Sequence, residues 1–175
     1  MVRVLAFSAA ASALVICLGV GPQAAAAPPA PGATAYMIGN CYDPSQPVEE
    51  RPTEVIYNCD QTGVMEGMTW TAWGPDGADG TGTDNSVECQ PNCAVGERLI
   101  NPIVVHAWNP MPPAEPGCPA GVQFYTDLVI AYPNDAPPWI KPGTTWSAGT
   151  EFIEYNGMPA VHFFDQEPYS CAPIS

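Results

Sequence analysis

Positive charge is scarce in this sequence. Four lysines and arginines stand against 18 aspartates and glutamates, giving a formal net charge of −14 at pH 7. Proteins that bind nucleic acid need clustered Lys and Arg to displace counterions from phosphates, so the deficit argues against nucleic acid as a partner. It also disfavours docking on anionic lipid. Long uninterrupted segments are equally scarce, because 16 glycines and 22 prolines divide the chain so finely that helices of ordinary length have no room. Beyond Ala27 no apolar run is long enough to span a bilayer. Histidine is limited to His106 and His162, and neither G-x-S-x-G nor H-E-x-x-H occurs, so the motifs of serine hydrolases and zinc proteases are missing. Carboxylate pairs such as Glu151 and Glu154 are the raw material of a glycosidase, but in so acidic a chain pairs arise by chance.

The N-terminus has the parts of a secretory signal: one cation at Arg3, an apolar stretch from Val4 to Val20, and small residues through Ala24–Ala27. We expect a cleaved signal peptide at 1–26, a Pro/Ala-rich linker at 27–35 and a single domain at 36–175. The expected location is therefore secreted or envelope-associated, without a transmembrane anchor. Cys17 follows Ile16, not the small residue a lipoprotein signal requires, and is expected to leave with the signal. The mature part keeps only Arg51, Arg98 and Lys141 as fixed cations.

Cys41, Cys59, Cys89, Cys93, Cys118 and Cys171 form an even set in an exported chain, the condition under which cysteines form disulfides. Spacing leaves the pairing open. The preferred scheme is Cys89–Cys93, Cys59–Cys118 and Cys41–Cys171.

The best strand is Val122–Tyr132, the longest stretch of the mature chain free of Gly and Pro. It alternates Val122, Phe124, Thr126, Leu128, Ile130 and Tyr132 against Gln123, Tyr125, Asp127, Val129 and Ala131. Ile103–Trp108 is β-branched and begins after Pro102. Shorter candidates lie at Thr53–Asn58, Met68–Trp73, Thr83–Glu88, Thr150–Tyr155 and Ala160–Phe164. Gly74–Gly82, Asn109–Pro119 and Pro133–Gly143 read as loops. The expected fold is all-β: a disulfide-stabilised antiparallel β-sandwich or small barrel with long Pro/Gly-rich loops and little or no helix.

Three constellations can carry a ligand. Asp76, Asp79 and Asp84 offer oxygens for calcium in a Gly/Asp-rich segment, although their spacing fits no EF-hand and the same residues make ordinary turns. Trp73, expected opposite Trp70, and Trp139, in a proline-rich loop, are the tryptophans expected to reach a ligand; Trp70 is expected in the core. His106 and His162 each alternate with apolar neighbours and read as packing residues. No catalytic residue, metal site or cofactor is assigned.

W-x-x-W-G at Trp70, Trp73 and Gly74 follows Cys59, and A-x-G-T-G-T at Ala78–Thr83 is followed by C-x-P-x-C-A at Cys89–Ala94. A P-x-x-V strand then occurs at Pro102–Val105, and another strand at Phe124–Tyr132. In their order and spacing, over roughly half the chain, these motifs resemble a family of small secreted proteins of actinobacteria, including mycobacteria and streptomycetes, that has no assigned activity. The resemblance implies a compact secreted β-domain. The leading expectation is a non-enzymatic exported domain that contacts a cell-envelope component or another protein. A small-ligand or glycan-binding module, with calcium supplied to the aspartate segment, is the alternative, and an envelope hydrolase the third.

Overall fold

The computed structural model describes residues 33–166, apart from 40, 44, 90–91 and 114–116. The expected signal peptide, the expected linker up to 32 and Cys171 lie outside the described residues. The described chain is all-β, with no helix. Its strands are β1 (Ala35–Met37), β2 (Glu54–Asn58), β3 (Gly63–Gly74), β4 (Gly77–Val87), β5 (Arg98–Met111), β6 (Val122–Ala131), β7 (Thr150–Tyr155) and β8 (Met158–Phe163). They form one sheet in the order β2-β3-β4-β5-β6-β8-β7 with every neighbour antiparallel; β1 adds to β6 in parallel. The first half of β6 pairs with β1 and the second half with β8.

The sheet rolls around its main core. Tyr57 of β2 meets Phe163 of β8 edge-on at 5.6 Å, although the two strands lie near opposite ends of the sheet order. Trp73 of β3 meets Tyr125 of β6 at 5.7 Å, and the Tyr125 hydroxyl bonds both N and O of Gly74. Inside lie Met65, Met68, Trp70, Ile103, Val105, Leu128, Ile130, Tyr132 and Phe152. Hydrophobic burial is what drives the rolling, since a flat sheet would leave this face in water.

The segment Gly74–Gly82, expected as a loop, is mostly strand. Only Pro75 and Asp76 form the turn, and Gly74 pairs with Gly77 across it. The glycines are there for packing: a Cβ on Gly80 would lie 2.6 Å from Trp70 Cε3, and one on Gly82 would collide with Met68 Sδ and come within 2.7 Å of the Glu66 carbonyl oxygen. Backbone cannot yield as a side chain can. Gly82→Ala is therefore expected to cost about 1–3 kcal/mol, the usual range for overpacking, as a lowered urea midpoint.

Two irregularities overturn simple alternation. β3 carries bulges between Glu66 and Thr69 and between Trp70 and Ala72. A bulge adds a residue and shifts the facing of the residues beyond it, so Trp73 turns to the same side as Trp70 and packs edge-on against it at 4.7 Å. In β5, Asn109 has φ 53°, a left-handed conformation that asparagine tolerates, and its carbonyl accepts the Thr126 hydroxyl. Beyond that point Tyr125, not Phe124, joins Leu128 and Ile130 in the main core, and Phe124 packs with Ala35 and Val122 in a second cluster.

The cysteine pairing also departs from expectation. Cys41 bonds Cys59, not Cys171, which leaves Cys59 no sulfur to share with Cys118. The chain after β1 returns to the end of β2, which brings Cys41 and Cys59 to a Cα separation of 5.1 Å. Cys89 bonds Cys93. Cys118 is disulfide-bonded as well, to a partner outside the described pairs.

Candidate functional site

The aspartates expected to serve calcium are dispersed by strand geometry. Asp76 sits in the turn, and Asp79 projects from the outer face of β4 with its Oδ1 2.7 Å from His106 Nδ1. Asp84, of the opposite facing, is fully buried. Alternation along a strand separates these facings by construction, and among the described residues no group of three His, Cys, Asp or Glu side chains can hold a metal. The three carboxylates do not converge on one ion.

Asp84 instead organises the interior. Tyr57 donates its hydroxyl to Oδ1 at 2.7 Å and Tyr132 donates to Oδ2 at 2.9 Å. Burial pushes the Asp84 carboxyl above the usual aspartate value, against the opposing pull of its hydroxyl donors. Burial and the neighbouring carboxylate push both tyrosines well above the ordinary phenol range, so both stay protonated as donors. Ser86, two residues further along β4, lies close enough to favour the Asp84 anion, yet its buried Oγ makes no hydrogen bond of acceptable geometry.

Above this floor the loop between β6 and β7 erects two tryptophans. Ile140 and Pro137 anchor the loop in the core, joined by an Ile140 N–H to Pro137 carbonyl bond. Gly143 N–H donates to the Phe152 carbonyl and Phe152 N–H to the Thr144 carbonyl, which ties the loop to β7. The Thr150 hydroxyl accepts from Ser147 N–H and donates to the Ser147 carbonyl, closing the turn that carries Trp146. The outcome is Trp139, half-buried against the core, and Trp146, 51% exposed.

Trp146 stands between two hollows of about 450 Å³ each. One is walled by Trp139, Thr144, Thr145 and Phe152 beside Cys89; the other by Tyr57, Asn58, Asp60, Thr62, Ser147 and Gln166. A void of about 10 Å³, bordered by Ser86, Tyr132, Trp139 and Trp146, shares walls with both. The chemistry is aromatic faces ringed by hydroxyls and amides, the usual make-up of a site that orients a small polar ligand.

Of the two tryptophans expected at a site, Trp139 lines this cleft and Trp73 does not. The Trp73 indole N–H is spent on the Tyr36 carbonyl, and the Trp70 indole N–H on that of Pro52. Trp146 carries no sequence signal beyond its place between polar residues, and the Tyr57–Asp84–Tyr132 bridge joins three segments that no local pattern relates.

The outer face carries a second constellation. Asp79, His106, Val129, His162 and Glu151 are consecutive cross-strand partners on β4, β5, β6, β8 and β7. Trp108 stacks between the two histidine rings at 5.0 and 5.2 Å. His162 places Nδ1 2.9 Å from Glu151 Oε1 and Nε2 3.1 Å from Asp127 Oδ1. Both ring nitrogens are thus engaged, which leaves His162 no nitrogen for a substrate. Trp108 packs with Ile153, Tyr155 and Met158 over Val129, Ala131 and Ala160, so this side has its own small core.

No protein-family model, curated protein or solved structure matches this chain.

Proposed function

We propose that this chain is an exported, non-enzymatic binding domain whose cleft around Trp146 holds a hydroxyl-rich ring, the chemistry of a cell-envelope glycan. The observation that carries this reading is the pair of hollows meeting at a half-exposed tryptophan, with hydroxyl and amide side chains on the rim. A sugar ring lays its apolar C–H face on an indole and offers its hydroxyls to the rim, as amphipathic aromatic sites allow. Disulfides belong to an oxidising compartment, which supports export. The non-enzymatic part rests on the walls: Asp60 is the sole carboxylate lining the hollows among the described residues, whereas glycoside hydrolysis needs two facing each other.

The test is a thermal-shift scan of the oxidised mature domain against glucose, N-acetylglucosamine and mannose oligomers. A ligand at about 100 times its Kd stabilises a domain by about 2.7 kcal/mol, which is several degrees at this size. Trp146→Ala is expected to weaken binding at least ~10-fold, or ~1.4 kcal/mol, with the fold retained because the side chain is half-exposed. A variant that keeps the full shift contradicts the proposal.

The stacked row of His106, Trp108 and His162 favours a second reading, in which the outer face contacts another protein. Stacked aromatics on a sheet surface are typical of contact residues.

A further inference from the structure

Resting on the cleft reading above, we infer that the cleft selects ligands bearing a protonated amine. Among the described residues no Lys, Arg or His lines either hollow or the void between them. Arg51 is engaged on the Trp70 carbonyl, and Arg98, which reaches the Asn85 side chain and the Gln61 carbonyl beside Asp60, lines neither hollow. The charge at the walls comes from a carboxylate. Asp60 stands at the mouth of one hollow. Thr62 fixes it with its N–H and hydroxyl, both donating to Oδ1 at 3.1 and 2.6 Å, so Oδ2 remains an acceptor for a ligand.

Two further features favour a cation. Trp139 and Trp146 line one hollow, and an indole ring attracts ammonium groups through the negative side of its quadrupole. The buried Ser86 Oγ, beside the Asp84 carboxylate, borders the small void and has an oxygen lone pair for an incoming N–H or O–H. An anionic ligand would meet Asp60 and no cation among the lining residues. A neutral sugar would use the tryptophans and hydroxyls but not the carboxylate. An amino sugar uses both.

The experiment compares glucose, glucosamine and N-acetylglucosamine by calorimetry on the oxidised mature domain, below neutral pH where the free amine is protonated, with tetramethylammonium as a cation lacking hydroxyls. Glucosamine is expected to bind at least ~10-fold more tightly than the two neutral sugars. That advantage should shrink with added salt and disappear in Asp60→Asn, whose melting temperature serves as the folding control. Equal affinities for the three sugars, or tighter binding of N-acetylglucosamine, overturn the amine inference and leave the cleft as a saccharide site. Binding of tetramethylammonium alone upholds the cation preference and overturns the saccharide reading. Binding of none of the four overturns both.

Discussion

Asp84→Ala is expected to destabilise the domain by about 2–4 kcal/mol, measured as the loss of unfolding free energy in urea. The substitution removes the acceptor of two buried hydroxyl donors, Tyr57 and Tyr132, and the loss of a buried hydrogen-bond partner costs about 1–3 kcal/mol. Relief of the desolvated carboxyl offsets part of that sum. Against a typical domain stability of about 5–15 kcal/mol the loss is large. Asp84→Asn keeps the shape and one acceptor oxygen, so its cost is expected to be smaller. The two variants together separate packing from hydrogen bonding.

The same residue predicts a pH dependence of unusual sign. Burial raises the folded-state pKa of Asp84 above its unfolded value. Between those two values the folded state holds the proton more firmly, so this group's contribution to stability is greatest below the unfolded pKa and declines as pH rises through the folded one. Asp60 works in the opposite direction, because the Thr62 hydrogen bonds lower its pKa and its small contribution is lost on acidification. The stability difference between wild type and Asp84→Asn should therefore shift in favour of wild type as pH falls. A difference that is flat with pH, or that shifts the other way, would show that Asp84 is not desolvated.

Cys41→Ser with Cys59→Ser is expected to cost about 3 kcal/mol, read as a drop in melting temperature under non-reducing conditions. The bond spans a sequence separation of 18, and in the loop-entropy model the denatured chain gains that much freedom when it is cut. Cys89→Ser with Cys93→Ser, spanning 4, is expected to cost less, about 2 kcal/mol on the same model. The larger effect has a structural reason too. The Cys41–Cys59 bond holds the chain after β1 against the sheet, where Tyr42 and Val48 cover Phe124. Equal losses for the two double variants would contradict this ranking.

How much of this is legible depends on the range of the signal. Strands announce themselves where β-branched residues alternate without Gly or Pro, as in Val122–Tyr132, and the short candidates at Thr53–Asn58 and Thr150–Tyr155 lie on β2 and β7. Gly74–Gly82 resembles a loop because Gly and Asp make turns. The alternation of Ala78, Gly80 and Gly82 with Asp79, Thr81 and Thr83 is itself a strand period, with glycine inward because Trp70 and Met68 already fill that space. Trp73 defeats the alternation rule through a bulge that shifts facing and has no local residue signature. The partial exposure of Trp139 is readable from its proline-rich loop. That of Trp146 is not, because it depends on the bonds between Ser147 and Thr150. The burial of Asp84 is invisible in sequence, since it depends on tyrosines from β2 and the end of β6 that meet only when the sheet rolls.

The decisive measurement is a two-dimensional NMR titration of the indole N–H signals of the five tryptophans with glucosamine and N-acetylglucosamine. The Trp139 and Trp146 signals are expected to move together along a saturating curve. Trp70 and Trp73, whose indole N–H groups are bonded to the Pro52 and Tyr36 carbonyls, should stay in place, as should Trp108 on the outer face. Movement confined to Trp108 would transfer the site to the outer row of histidines and carboxylates, and saturation with no change at Trp146 would contradict the cleft as the binding site.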